Sequence, residues 1–169
     1  MMRECGGLQM PDYYKSQLRS EAPAPTHDFG AAGGWRPDAM VIELGTNDER
    51  AIHGHPGYNE SFANQTVAFL QSVATRYRKP DVEFFLAAGP IRNFTGSWAT
   101  KAVPVIAARA RAAGLRATVL DVTGACAVAR LHAPDNVDLC DGCSAHPGVE
   151  GHREMYIKAA AVLARPMGW

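Results

Sequence analysis

The sequence predicts an α/β protein in which helices cover a parallel sheet. Three apolar segments suit buried strands, helical segments alternate with them, and the composition is that of a globular protein. Hydrophobic residues make up 47% of the 169 residues and charged residues 20%, which argues against global disorder. Strands that alternate with helices form βαβ units, whose strands run parallel and are covered on both faces. This length is typical of one domain, so we expect residues 1–169 to form a single domain.

The predicted strands are the nearly continuous apolar segments at residues 39–44, 82–88 and 117–122. Continuous apolar character is typical of strands that are buried on both faces of a parallel sheet. A sheet usually has about five or six strands. Because only three strands are visible, we expect the chain to lack part of a domain.

The clearest helix is predicted over residues 59–78, where apolar positions recur every three or four residues. Asn59 is placed to cap its start, and Pro80 follows its end. The positions on its apolar face are Phe62, Thr66, Phe69, Leu70, Val73 and Tyr77. We expect this face to pack against the sheet.

Two further long helices are predicted, over residues 100–113 and residues 149–164, and a short one over residues 11–19. The alanine-rich helix over residues 100–113 tolerates Pro104 only near its first turn, and Gly114 is its natural C-cap. The arginines that we expect on a solvated face are Arg109, Arg111 and Arg116. The apolar positions of the last helix are Met155, Ile157, Ala160, Ala161 and Leu163.

The composition argues against several classes of protein. Lys+Arg 17 against Asp+Glu 17 gives zero formal charge, without the basic character of a nucleic-acid binder. No segment approaches the ~20 continuous apolar residues of a membrane-spanning helix, so no membrane partner is expected. Residues 1–7 have no apolar core and do not resemble a secretory signal, which leaves the localisation open. Four cysteines are too few for a disulfide scaffold in a chain of this length.

Small and polar residues follow the first predicted strand, in the tetrapeptide Gly45-Thr46-Asn47-Asp48. In open α/β sheets, ligands bind outside the carboxyl ends of the strands. This position makes the tetrapeptide a candidate site, although Gly, Asn and Asp also form ordinary turns.

A histidine lies just before the last predicted helix, within residues 141–152. His146 is followed there by Pro147, Gly151 and His152. The imidazole of His146 could face the same edge of the sheet as the tetrapeptide. Taken alone, a surface histidine at a helix start is the simpler interpretation.

In this order and at this separation, the two motifs resemble those of the SGNH (GDSL-type) hydrolase superfamily. That family has a flavodoxin-like sheet and draws Ser, Gly, Asn and His from four sequence blocks. Residues 45–48 are similar to its third block, in which the side chain at the position of Asn47 donates a hydrogen bond to the oxyanion. His146-Pro147 with Gly151-His152 is similar to its fifth block, which carries the catalytic base.

A closer resemblance is to the carbohydrate esterase family 2 branch, whose members remove acetyl groups from sugars. An aromatic-rich stretch precedes the third block of that branch, and residues 27–29 and 35–38 are similar to it. Its fifth block tends to read Gly-Cys-x-x-His-Pro, as residues 142–147 do. The resemblance covers nearly all of the chain, and it implies a flavodoxin-like three-layer fold with a parallel sheet.

The resemblance also implies a nucleophilic serine in a Gly-Asp-Ser-type motif upstream of the third block. The chain shows no such motif, because Ser16 and Ser20 are the only serines before Gly45 and neither follows Gly-Asp. Arg3 and Cys5 are similar to the residues that follow the glycine of the family's second block. We therefore expect an N-terminally incomplete domain, a fragment that lacks the first strand and the nucleophile and has little activity.

The implied reaction is acyl transfer by a Ser-His pair, in which a serine hydroxyl attacks an ester carbonyl and His146 takes its proton. Asn47 contributes to the oxyanion hole. The family's acid stands three residues before the histidine, where this chain has Cys143, so Asp141 is the nearest candidate for the acid. The candidate substrate-binding residues are Gly45, Thr46, Asp48 and Trp98. The expected partner is a small-molecule or glycan ester, and the reaction needs no metal or organic cofactor.

A non-catalytic function is the alternative. Cys140, Cys143, His146 and His152 offer thiolate and imidazole groups within one short region, and zinc binds such ligands tetrahedrally. The protein is then either a pseudoenzyme that binds acetylated glycan or a zinc-stabilised module. The sequence leaves the substrate and the oligomeric state open.

Overall fold

The computed structural model describes Phe29, residues 34–45, Asp48, and residues 58–89, 98–123 and 147–169. Its elements are β1 (Ala39–Ile42), α1 (Tyr58–Tyr77), β2 (Glu83–Ala88), α2 (Trp98–Ala112), β3 (Arg116–Asp121) and α3 (Val149–Met167). The three strands form a parallel sheet in the order β1-β2-β3. This arrangement confirms the predicted α/β class, while the short helix predicted at residues 11–19 lies outside the described residues.

The strands are aligned so that their C-terminal ends meet at one edge of the sheet. Ile42 pairs with Leu86, which pairs in turn with Val119. Gly45 follows β1 and Val122 follows β3 at this edge, which we call the carboxyl edge. Ligands bind at this edge in open α/β sheets.

Two helices, α1 and α2, cover the side of the sheet that we call the first face. Alternate residues of β2, Phe84 and Leu86, point to this face and are buried. All six positions predicted for the apolar face of the first helix are buried, which confirms that prediction. Thr66 is the polar member, and its hydroxyl donates to the carbonyl of Phe62 at 2.8 Å, so it is satisfied within α1.

The opposite side of the sheet, the second face, is covered by α3. Phe85 of β2 and Leu120 of β3 are buried there, and Met155 and Leu163 of α3 pack against them. Helices therefore lie on both faces, which gives the three layers that the resemblance implies. Among the helices of the described residues, none has the length and apolar character needed to cross a bilayer.

Some residues that the sequence predicts to be buried are exposed. Val41 of β1 is 54% exposed, because β1 lies at the edge of the described sheet while α3 packs against β3. Ile157 is 49% exposed, since it lies about 200° around the helix from Met155, which faces the sheet. Ala160 and Ala161 are exposed as well. These predictions are wrong because the arrangement of neighbouring elements decides burial.

The helix ends lie within three residues of the predicted ones, but not every predicted cap is used. α1 begins at Tyr58, so Asn59 lies inside its first turn and is not the cap. Pro104 is the seventh residue of α2, further from its start than expected, and it is exposed. Gly114 ends α2 as predicted, with a φ of 83° that favours glycine. α3 continues past residue 164 and ends before Gly168, whose φ is 71°.

The arginines predicted to lie on a solvated face each contact a specific partner. Arg109 joins α2 to α1, because its guanidinium lies 2.8 Å from a carboxylate oxygen of Glu60 and 2.7 Å from the side-chain oxygen of Asn64. Arg111 donates to the carbonyl of Ala117 at 2.8 Å. Arg111 and Arg116 are exposed, as predicted, and Arg109 is half-buried. Helical periodicity does not show which polar partners tertiary packing adds on such a face.

A buried carboxylate explains the position of Arg116. Its Nε lies 3.0 Å from Oε2 of Glu83, whose side chain is only 5% exposed. The hydroxyl of Thr118 donates to Oε1 of the same carboxylate at 2.8 Å. Arg116 is therefore the ionic partner of a buried acid and joins β3 to β2 at the end of the sheet opposite the carboxyl edge.

Candidate active site

Gly45 begins the candidate site at the carboxyl edge. It is buried, and its φ of 108° lies in the region that favours glycine. The chain can therefore turn away from β1 at this point without the strain that a side chain adds. Asp48, three residues further, is half-buried. Thr46 and Asn47, which lie between them, are outside the described residues.

The direction of α3 brings its first turn to the same edge. Ala159, Val162 and Met167, in its C-terminal half, pack against the second face of the sheet. Lys158, nearer the middle, reaches the carbonyl of Thr123 just beyond the end of β3, at 3.0 Å. The first turn of α3 therefore lies toward the carboxyl edge.

The start of α3 is described from Pro147 onward, directly after the position of His146. Gly148 has an extended backbone with φ −78° and ψ −170°, and its carbonyl accepts the first helical hydrogen bond from the N–H of His152 at 2.9 Å. Within the described ranges, no side-chain hydrogen bond caps this end of the helix. The N-terminus of a helix favours nearby negative charge, which suits a site where an oxyanion develops.

Trp98 is the first residue of α2. Because α2 ends at Gly114 and leads directly into the N-terminal end of β3, its own first turn lies toward the carboxyl edge. The side chain of Trp98 is outside the described part. The structure thus brings the backbones of Gly45, Asp48 and Trp98 and the turn before α3 to one edge.

The remaining predicted site residues lie outside the described residues, namely Cys140, Asp141, Cys143 and His146. Of the proposed zinc ligands only His152 is described, and it is exposed in the first turn of α3. In the described ranges, no group of three or more His, Cys, Asp or Glu side chains is arranged to hold a metal ion. The zinc site and the catalytic roles of Asn47 and His146 stay predictions.

Sequence reasoning missed a polar cluster at the end of β3. The carboxylate of Asp121 accepts hydrogen bonds from the backbone N–H of Thr123, at 2.9 Å, and from the Thr123 hydroxyl. Lys158 then donates to the carbonyl of Thr123. The signal is an Asp-x-Thr sequence that begins at the end of the predicted strand, because Asp side chains commonly bond the backbone two residues on.

Glu43 lies between β1 and Gly45, so its carboxyl group is close in sequence to the candidate site. Although Glu43 reaches solvent, the protein atoms around its carboxyl group raise its pKa through burial. A raised pKa keeps the proton on this group to a higher pH than on a free glutamic acid. Burial therefore works against ionisation of the carboxyl group at the strand end next to the candidate site.

No protein-family profile matches the sequence, and no curated protein matches it. Among solved structures, the chain is similar to a crystal structure of a carbohydrate esterase family 2 enzyme plus carbohydrate binding domain from Corynascus thermopiles (Myceliophthora fergusii). The TM-score is 0.69 and the sequence identity 25%, over 96% of this chain and 46% of that one. The chain thus spans less than half the length of this neighbour. The likeness agrees with the three-layer fold and with the resemblance carried by the two motifs.

Proposed function

We propose that this chain carries the base and oxyanion part of an ester hydrolase site of the carbohydrate O-acetylesterase type. The observation that carries the proposal is the structural likeness to a carbohydrate esterase family 2 enzyme across 96% of the chain. The position of Gly45 at the carboxyl edge supports it, because this glycine begins the block that resembles the family's oxyanion motif. The proposed substrate is an acetyl ester of a sugar or a small alcohol.

Each proposed residue has one chemical role. His146 is the general base that takes a proton from the attacking hydroxyl and returns it to the leaving alcohol. Asn47 donates a hydrogen bond to the oxygen that becomes negative when the carbonyl is attacked, and a donor of this kind is worth ~2.7–4 kcal/mol of the barrier. Asp141 orients the imidazole of His146. Thr46, Asp48 and Trp98 line the substrate side of this edge in the proposal.

In this proposal, no serine of this sequence supplies the attacking hydroxyl. Neither Ser16 nor Ser20 stands in a Gly-Asp-Ser-type motif. Loss of a catalytic serine costs on the order of 10⁶ in kcat, so we expect little hydrolysis by the chain alone. In that residual reaction water attacks the carbonyl, and one of its protons passes through His146 to the leaving alcohol. Acetic acid is released and loses its remaining proton to solvent.

Turnover of p-nitrophenyl acetate tests these roles. We expect residual turnover that falls by about 100-fold in His146→Ala, because a positioned base contributes at least that much. His132→Ala is the matched control, since it removes a histidine to which no role is assigned. Equal rates in the parent and His146→Ala would contradict the role of His146. Labelling of the parent by a fluorophosphonate would show an activated serine and contradict the statement that none is present.

A binding experiment keeps the proposal testable if turnover is too slow to measure. NMR spectra are recorded while an acetylated xylo-oligosaccharide is added, with the deacetylated sugar as the control. We expect the acetylated sugar to shift the amide signals of Gly45, Asp48 and the first turn of α3. Absence of both turnover and shifts overturns the proposal. Bound zinc that is lost on Cys143→Ser would favour the zinc-stabilised module instead.

A further inference from the structure

Lys158 connects the middle of α3 to the carboxyl edge of the sheet. Its side chain is half-buried, and Nζ donates to the carbonyl of Thr123 at 3.0 Å. Thr123 is itself held by the carboxylate of Asp121, and the N–H of Val122 donates to the carbonyl of Ala88 at 3.3 Å. Lys158 therefore binds a turn that is fixed to the strands on which the candidate site stands.

The apolar side-chain contacts of α3 begin at Met155, so they hold the helix from there onward more firmly than its first turn. Met155, Ala159 and Val162 pack against the second face of the sheet, whereas Val149 is 84% exposed. Apolar contacts are not directional, so they limit rotation and sliding of the helix only loosely. The hydrogen bond of Lys158 is directional and charge-assisted, which makes it stronger than a neutral one.

The hydrogen bond of Lys158 also links the two described parts of the chain that flank the segment carrying His146. Thr123 is the described residue before that segment, and Pro147 is the described residue after it. A helix is a rigid element, so a bond at Lys158 fixes the position of the turn at Pro147 and Gly148, about three turns away. The geometry thus links β3 to the start of α3.

We propose that Lys158 is a positioning residue, which holds the first turn of α3, and with it the chain next to His146, against the carboxyl edge. The proposal rests on the function proposed above, in which His146 acts as the base. Lys158 touches no reacting atom in this scheme. It acts through Thr123 and α3.

Amide hydrogen exchange of the folded protein tests the proposal. The N–H of His152 makes the first hydrogen bond of α3, so its exchange reports opening of the first turn. In Lys158→Met, which keeps the length of the side chain but removes the donor, we expect this exchange to rise by about tenfold. The amide of Leu70, in the core of α1, should change little. Lys158→Arg should restore protection, because it keeps a cationic donor.

Lys101→Met is the matched control, since Lys101 is an exposed lysine of α2. The imidazole proton signals of His146 provide a second reading: we expect them to move in Lys158→Met and to stay in place in Lys101→Met. An equal rise in exchange at His152 and Leu70 would indicate a general loss of stability and overturn the positioning role. Unchanged exchange at His152 in Lys158→Met would overturn it as well.

The failure of this proposal can be told apart from failure of the proposed function. If Lys158→Met loosens α3 but His146→Ala leaves ester turnover unchanged, the positioning of α3 stands and the role of His146 fails. If His146→Ala abolishes turnover but Lys158→Met changes neither exchange nor the His146 signals, only the role of Lys158 fails.

Discussion

Arg78 adopts a backbone conformation that glycine adopts more easily. Its φ is 49°, and it follows the last residue of α1, where its N–H donates to the carbonyl of Thr75 at 3.1 Å. The N–H of Lys79 donates to the carbonyl of Ala74 at 3.2 Å, which completes a Schellman-type helix end. An L-residue in this region costs roughly 1–2 kcal/mol.

Arg78→Gly should therefore increase the free energy of unfolding by about 0.5–1 kcal/mol, since the added freedom of glycine in the unfolded chain offsets part of the gain. Urea unfolding measures the change. Arg76→Gly is the control, because Arg76 lies within α1, where glycine should cost about 1 kcal/mol. A loss of stability in Arg78→Gly would show that the Arg78 side chain makes a contribution larger than the backbone strain.

The raised pKa of Glu43 predicts how stability depends on pH. Folding favours the protonated form of Glu43. At a pH below the pKa that Glu43 has in the unfolded chain, the group is protonated in both states and does not affect the free energy of unfolding. Its contribution becomes unfavourable as the pH rises from there through the folded pKa. Glu43→Gln, which cannot ionise, should therefore raise the melting temperature at pH 7 and leave it nearly unchanged at pH 3.

Glu60 provides a control of opposite sign for this prediction. The hydrogen bond from Arg109 lowers the pKa of Glu60, so its contribution is present above the unfolded pKa and is lost as the pH falls through the folded value. Glu60→Gln should lower the melting temperature at pH 7 and have little effect at low pH. Equal pH profiles for Glu43→Gln and the parent would contradict the first prediction.

At the scale of elements, the buried carboxylate of Glu83 joins β2 to β3. Arg116→Met leaves this buried charge without its ionic partner, which should cost about 3 kcal/mol. Glu83→Gln keeps the shape of the side chain and some of its hydrogen bonding, and the Arg116 that it leaves without an ionic partner is half-exposed. The stability lost in Glu83→Gln should therefore be smaller, about 1–2 kcal/mol. Denaturant unfolding of both variants measures the difference. A larger loss in Glu83→Gln would contradict this ordering.

The bounds of helices and strands could be predicted from the sequence where the residues of the element itself determine them. β2 lies within one residue of its predicted start and is fully buried, because a continuous apolar segment has few other stable positions. Gly114 ends α2 as expected, since a left-handed helix end needs little beyond a glycine. The edge position of β1, and with it the exposure of Val41, depends on which strands become neighbours, and strand periodicity does not carry that information.

At the scale of the whole molecule, the sequence predicted the strand end at Gly45 better than it predicted the contacts that hold this edge of the sheet together. Gly45 was expected at a strand end because the change from apolar to small polar residues marks that end. Lys158 was not expected to matter, since its partner Thr123 is 35 residues away in the chain. Contacts at such separation come from the packing of α3 on the sheet, which a local pattern does not determine.

The outer side of β1 affects how the protein behaves at high concentration. Among the described residues β1 pairs with β2 alone, and its four residues carry no charge and no proline. Unpaired N–H and C=O groups at a sheet edge are a template for strands of other molecules, and this applies to β1 where no other part of the chain covers it. Each molecule added at β1 can expose a new strand edge in turn. The rate at which monomer is lost should therefore rise steeply with protein concentration. We expect the β-structure content to grow as monomer is lost.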